Sequence, residues 1–437
     1  MSTSASPLRS SREATGPAPT RRRPRVLVLT QYYRPEPNFI TADVAESLAR
    51  DADVTVVAAA PNYPTGKIYP GHSFRRLTRV VENGVTVWRV PHVPVGRSIS
   101  KIRRALSYLS FTGAAAVLAP FVCPRPDVVW VYHTPFTTAL AALFFKYLRG
   151  SRIVFTSADL WPESFLAAGV ANPGRLLDAT FAYSRWINRQ ADTIICSTRG
   201  TAERYARDGI PAEALHMVPV WTESASSIDD DEHASVETPR IVYAGNLGPA
   251  QALETVIEGA AQLARDGVDA RFAFYGSGAA QAALQEMAER LGATNVEFFG
   301  PVAPSHAFHV SASATAQIVS LRRTPLFRMT VPSKLVTAFA AGAPILCGLD
   351  GESAELASRS GGAVFYDPTD VASFCNAVRT VLGFSEQRVA AMRRQMREYY
   401  DAHFRRDRLL ETYRRLLLGA AEPARESAAL IARRAAP

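Results

Sequence analysis

Short, nearly continuous apolar runs alternate with segments of helical spacing along most of the chain. Val26 to Thr30 (VLVLT) is the first run. Thr41 to Arg50 then carries Val44, Ala45, Leu48 and Ala49 on one helical stripe, and Val54 to Ala60 (VTVVAAA) completes a strand–helix–strand unit. The alternation returns at Asp127 to Tyr132, at the helical segment Phe136 to Leu148 and at the strand Arg152 to Thr156. Strands without polar alternation are buried on both faces, so this half predicts a parallel sheet between two helical layers. A second series begins beyond the polar stretch Glu223 to Pro239. It runs through Ile241 to Ala244, a helix from about Ala252 to Ala264, the strand Arg271 to Tyr275 and a helix from Ala279 to Leu291. Further units follow at Ala316 to Ser320, Leu335 to Ala341 and Pro344 to Cys347, and from Ser385 onward the sequence predicts basic helix.

The pattern predicts an α/β protein of two tandem doubly wound Rossmann-like domains facing a cleft, with ligands at the carboxyl ends of the strands. The expected division is a flexible basic tail over 1–24, an N-terminal domain over 25–222 and a linker over 223–239. A C-terminal domain over 240–395 and a helical segment over 396–437, packing back on the first domain, complete it. Length agrees, because 437 residues exceed one ordinary hydrophobic core. With 47% hydrophobic and 20% charged residues, wholesale disorder is excluded.

The net charge of +9 changes the picture only locally, since part of it lies in the tail that ends at Arg21, Arg22 and Arg23. That tail lacks the apolar core of a secretory signal, and reads as solvated or as drawn to acidic phospholipid; nucleic acid is not expected. Cys123, Cys196, Cys347 and Cys375 are far apart and sit in apolar stretches, as reduced core cysteines of a cytoplasmic protein do. Ala105 to Pro124 is almost uncharged over about the length of a bilayer crossing and follows Lys101, Arg103 and Arg104. Diluted by Ser107, Ser110, Thr112 and Gly113, it predicts a core or surface helix, with interfacial membrane contact as the alternative.

Candidate chemistry lies in loops that follow strands. Gly245-Asn246-Leu247-Gly248 comes directly after IVYA, where glycine lets backbone N–H groups approach a phosphate closely. Gly276-Ser277-Gly278 has the same setting after RFAFY. Pro332-Ser333-Lys334 opens a further helix, with Ser333 expected as its cap and Lys334 as a point charge for phosphate. In GLDGESAE, Glu352 and Glu355 are ribose ligands or helix caps. No full Gly-x-Gly-x-x-Gly run opens either domain, which disfavours a nicotinamide cofactor.

Several of these segments, in order, resemble a known family. YAGNLGPAQALETVIEGAAQL, YGSG and PSKLVTAFAAGAPIL are similar to the donor domain of retaining family 4 glycosyltransferases with the GT-B fold, near the bacterial enzymes of capsule, colanic-acid and O-antigen assembly. QYYRPEPNFITADVAESLA and DLWPES resemble the acceptor-domain loops of that branch, so the resemblance spans roughly residues 25 to 420. It implies transfer of a sugar from a UDP- or GDP-linked donor to a hydroxyl of an envelope glycan or polyprenyl-linked acceptor, with retention and without a metal. The expected location is the cytoplasm, at the inner face of the plasma membrane. The alternatives are a UDP-sugar epimerase of the same fold and a non-catalytic partner subunit.

On this resemblance the donor contacts are Gly245, Asn246, Gly248, Gly276, Gly278, Ser333, Lys334 and Thr337. Thr337 stands where the family commonly bears a ribose-binding Glu, and Gln251 stands nearest to where some relatives carry a Lys. Arg328, Arg322 and Arg323 are further cations for the diphosphate. Asp159 is expected to orient the acceptor or take its proton, preceded by Thr156, Ser157 and Ala158 where the branch is usually polar or charged. His133 is a second cleft-edge candidate. Glu163 is expected at the acceptor, and Arg34, Glu36 and Asn38, from the position of their loop, at the acceptor or a phosphate. Asp51-Ala52-Asp53 has the spacing of a metal-binding pair but falls at a helix-to-strand turn on the opposite edge.

Overall fold

A computed structural model of the chain describes residues 22–63, 65–95, 101–132, 136–164, 174–222 and 238–419. His133 and most of the expected linker lie outside the described residues, as do 1–21 and 420–437.

Among the described residues the first half builds an eight-stranded sheet from β1 (Arg25–Leu29), β2 (Asp53–Ala59), β3 (Thr78–Glu82), β4 (Val85–Val90), β5 (Val128–Tyr132), β6 (Arg152–Ser157), β7 (Thr193–Cys196) and β8 (Leu215–Met217). The order is β3-β4-β2-β1-β5-β6-β7-β8, with β3 antiparallel to β4 and the other pairs parallel. β1 explains the geometry: Leu27 and Leu29 enter one core, Val26 and Val28 the other, so helices cover both faces. The order reverses between β1 and β5, which opens a crevice at the loop after β1.

The second sheet takes β9 (Arg240–Ala244), β10 (Arg271–Tyr275), β11 (Val296–Gly300), β12 (Ala316–Ser320), β13 (Ile345–Gly348) and β14 (Ala363–Phe365) in the parallel order β11-β10-β9-β12-β13-β14. Its switch point lies between β9 and β12, beside Gly245. The four cysteines are free and buried.

Several expected boundaries move. Arg22 and Arg23, assigned to the tail, are anchored: Arg22 pairs with Asp127, and Arg23 donates to the carbonyls of Ala49 and Ala52. The expected helix Phe136 to Leu148 divides into a 3-10 turn, Phe136–Ala139, and α3 (Leu140–Arg149). The expected border at 396 falls inside α12 (Glu386–His403), whose Met396 and Tyr400 pack in the C-terminal core. It is α13 (Arg406–Leu418) that returns to the N-terminal domain, burying Leu409, Leu410, Tyr413 and Leu417 beside Trp130 and Trp221. Buried Asp43, on α1 (Phe39–Leu48), ties this return together. It accepts from Trp221 Nε1 at 3.0 Å and pairs with Arg406 at 2.7 Å and Arg34 at 3.2 Å.

Candidate active site

On the C-terminal side the site grows from two loops locked edge to edge. Gly245 and Gly276 have φ of 148° and 135°, where a side chain is strained. The Gly245 N–H donates to Tyr275 O at 2.8 Å, and Leu247 N–H to Ser277 O at 3.0 Å. A Cβ on Gly276 would fall on the Gly245 carbonyl, one on Gly278 on the Leu247 carbonyl, and one on Gly245 on the stem of Lys334. Asn246 folds its amide against Gly248, and its carbonyl accepts from the Tyr243 hydroxyl at 2.6 Å. Glycine here is needed for loop-on-loop contact as well as for access to a ligand.

Lys334 occupies the first turn of α9 (Ser333–Ala341), with Nζ 5.3 Å from the Tyr243 ring centroid. Among the described residues it has no hydrogen bond or ion pair. Burial pushes its pKa down to about 8. Three neighbouring arginines differ in being occupied. Arg322 pairs with Glu254 at 2.6 Å, Arg323 with Asp367 at 2.9 Å and Arg328 with Asp350 at 3.2 Å. Arg328, more than half exposed, is held by this pair at the turn before α10 (Glu352–Arg359).

Other donor-side assignments also change. Ser333 is not the cap; Pro332 takes that position without a side-chain bond, and Ser333 begins the helix. The Thr337 hydroxyl donates back to Ser333 O at 3.1 Å and lies 3.4 Å from Thr222 Oγ1. After Gly248 the chain makes a 3-10 turn, Pro249–Gln251, and α6 (Glu254–Arg265) starts only beyond Leu253, so the glycine loop does not feed directly into a helix N-terminus.

On the N-terminal side Asp159 follows β6 and is exposed, yet enclosed enough that loss of hydration raises its carboxyl above the usual aspartate range. Burial raises the nearby phenols of Tyr108 and Tyr132, and the charge of Asp159 raises them further. The preceding hydroxyls serve the fold: Thr156 accepts from Trp130 Nε1 at 2.9 Å and Ser157 meets Tyr205 Oη at 2.7 Å. Glu163 pairs at 2.9 Å with Arg204, which also holds Asp208.

The loop after β1 is likewise internally bonded. Buried Glu36 accepts from the N–H groups of Tyr33 at 3.2 Å and of Asn62 and Tyr63 at 2.8 Å. These bonds make Glu36 a clip between two cleft loops. Asn38 Nδ2 donates to Tyr32 O at 3.2 Å, and Arg34 faces Asp43 and Glu46. Arg34 and Glu36 still line a cavity of about 1150 Å³ closed on its far side by Ser305, Phe308 and His309 of α8 (Pro304–Ala312). Buried Arg89 lines it too, bonded to the carbonyls of Ala59 and Arg34, and the sequence reading missed it. A charged residue within the strand VTVWRV was the available signal. Asp51 and Asp53 lie at the opposite end of the sheet, paired with Arg414 and Arg23.

The domains meet through α5 (Arg199–Arg207). Glu352 accepts from the N–H groups of Arg199 at 2.9 Å and Gly200 at 2.8 Å, and Arg199 pairs with Glu355 at 2.8 Å. The Thr198 hydroxyl donates to Met329 O at 2.7 Å. Glu352 and Glu355 therefore join the two domains.

Two glycine-lined loops, a cation with no ion pair among the described residues and a second Rossmann-like domain across a cleft fit transfer from a nucleotide-linked donor. The sequence agrees: residues 37–221 match the Glycosyl transferase 4-like domain and residues 238–383 the Glycosyl transferases group 1 family. The chain is a glycosyltransferase built from these two domains. A protein named for colanic acid biosynthesis, the glycosyl transferase WcaI of Escherichia coli (strain K12), is 28% identical over 414 residues, 89% of this glycosyltransferase and 98% of the relative. Among solved structures, the sucrose-phosphate synthase of Thermosynechococcus elongatus superposes with a TM-score of 0.69 at 14% identity, covering 90% of this chain and 99% of that one. Anabaena HepE, in complex with UDP and glucose, gives 0.65 at 13%, covering 89% and 97%. The fold of this glycosyltransferase is GT-B.

Proposed function

We propose that this glycosyltransferase moves a sugar from a UDP- or GDP-linked donor to a hydroxyl of an envelope polysaccharide intermediate carried on a polyprenyl lipid. Transfer proceeds with retention, at the cytoplasmic face of the membrane. The observation that carries the reading is Lys334, a half-buried ammonium with no hydrogen bond or ion pair among the described residues, at the start of α9 and directly beneath Gly245. As the bond from the anomeric carbon to the diphosphate oxygen breaks, negative charge grows on the leaving group. Lys334 and the first N–H groups of α9 neutralise it there, the task a divalent ion performs in metal-dependent transferases. The acceptor oxygen bonds to the anomeric carbon, and its proton is taken by Asp159, whose raised carboxyl is a stronger base than an ordinary aspartate, or by the departing phosphate. The name of the Escherichia coli relative and the UDP bound in HepE support the substrate class.

Titration calorimetry of the purified protein against a panel of UDP- and GDP-sugars, with EDTA present, tests this reading. Saturable binding of at least one donor and slow release of free sugar are expected. Indifference to the whole panel would overturn it, and conversion of the donor to another nucleotide sugar would assign an epimerase.

A further inference from the structure

The helix α2 (Lys101–Val122) is 22 residues long and carries two apolar faces. One is spent on the fold: Phe111, Ala115 and Ala119 are fully buried with Leu27 and Val129 of the sheet and Phe145 of α3. The other has no cover among the described residues. Ile102, Leu106, Leu109, Val117 and Phe121 are 51–79% exposed, and with Gly113 between them they recur at spacings of three and four residues, on one stripe. On α3, which packs beside α2, Tyr147 and Leu148 are also about two-thirds exposed. Scattered single apolar residues on a surface carry no meaning, but a continuous ridge along about 33 Å of helix does.

Charge selects what covers the ridge. From Asn83 to Ala158 the sequence holds nine Lys or Arg and one acidic residue, Asp127. Arg103, Arg125 and Arg149 are exposed at the ends of the two helices, so the apolar ridge is framed in positive charge. A second copy of this chain would bring the same positive frame against itself. An anionic phospholipid bilayer offers both an apolar boundary and negative headgroups. Ile102–Val122 is long and apolar enough to span a membrane, but the buried stripe of α2 is part of the sheet's core, so the helix lies along the surface. Its first turns border the cleft: Gln31, in the loop after β1, donates to Ser107 Oγ at 3.1 Å, and Tyr108 lies within electrostatic reach of Asp159.

We propose that the exposed ridge of α2, with the neighbouring end of α3, is the surface by which this protein seats itself on an anionic lipid bilayer, presenting its cleft to an acceptor carried in that bilayer. The clause about the acceptor rests on the function proposed above; the seating itself does not.

Flotation with vesicles of phosphatidylglycerol and phosphatidylethanolamine, against vesicles of phosphatidylcholine alone, reads the seating without any sugar. Binding to the anionic vesicles that weakens with salt is expected. The double variant Leu109→Glu/Val117→Glu should weaken it at least about tenfold, given the transfer free energy of each leucine-sized side chain. A milder pair, Ile102→Ser/Phe121→Ser, should act in the same direction. Thermal melting by circular dichroism and binding of the donor found in the calorimetric panel should match wild type, separating this outcome from misfolding and from failure of the catalytic reading. Absence of binding to anionic vesicles, or both variants binding like wild type, would overturn the proposal. So would a dimer in sedimentation velocity that the variants abolish.

Discussion

Lys334 sets the terms at the scale of single residues. A protonated amine without a carboxylate partner costs the free protein stability, and an anion beside it removes that cost. Its pKa is lowered from 10.5 to about 8, so between those values the unfolded chain holds a proton that the folded protein has released. Stability of the free protein should therefore rise with pH through that window, while below about 8 the full penalty is present. Donor binding should run the other way, weakening by up to about tenfold per pH unit above about 8 as the ammonium is lost. Lys334→Met should raise the melting temperature, abolish tight donor binding and flatten its pH profile; calorimetry and melting across this range check all three. A variant that keeps both affinity and slope would place the phosphate contact elsewhere. Lys334 was legible because it follows a Pro-Ser helix start. The pairing of the neighbouring arginines was not legible, because sequence shows a charge without showing its partner: Glu254, Asp350 and Asp367 reach Arg322, Arg328 and Arg323 only through the fold. The three N–H donors of Glu36 were hidden for the same reason, since they are supplied by loop backbone.

Secondary-structure elements were most legible where both faces are buried. β1, β2, β5, β9 and β10 are apolar on both faces and stood out as runs, whereas β3 is almost wholly exposed at the sheet edge. Its turn, Asn83-Gly84, has both φ values positive, 49° and 77°, the hairpin signal that an apolar-run reading passes over. The glycine loops were legible as candidates, but their packing on each other was not, because it depends on the parallel register that brings Tyr275 beside Ala244. That packing makes a sharp expectation for Gly276→Ala. The methyl group meets the Gly245 carbonyl and the backbone cannot keep φ at 135° without strain, so the variant should lose about 2–3 kcal/mol in chemical denaturation. Donor affinity should fall with it, because the displaced strand end carries Gly245 away from Lys334. By contrast, Gly267→Ala, at a φ of 73° with open space around it, should cost about 1 kcal/mol and leave donor binding intact.

For the whole molecule, two α/β units and a cleft could be read from the order of strands and helices, but the contacts that set their relative position could not. Those contacts join residues more than a hundred positions apart: Glu352 to the start of α5, Arg199 to Glu355 and Thr198 to Met329. The exposed Arg199–Glu355 pair contributes little by itself. Glu352 is half-enclosed and gives one carboxylate oxygen to each of two helix N–H groups, at the positive end of the α5 dipole, so it is the stronger fastener. Gly200 presses on Met329 so closely that a Cβ there would overlap it, which keeps the two domains at this spacing. Glu352→Gln replaces one acceptor oxygen with an amide donor that faces an N–H, and should loosen the domain contact by about 2 kcal/mol. The glycine loops and Lys334 are untouched, so donor affinity should stay within about twofold of wild type, while kcat falls because transfer requires both halves of the cleft in place. Small-angle scattering should show a larger radius of gyration for the variant. An unchanged radius together with an unchanged kcat would mean that the returning helix α13, through Arg406 and Asp43, holds the domains in register without Glu352.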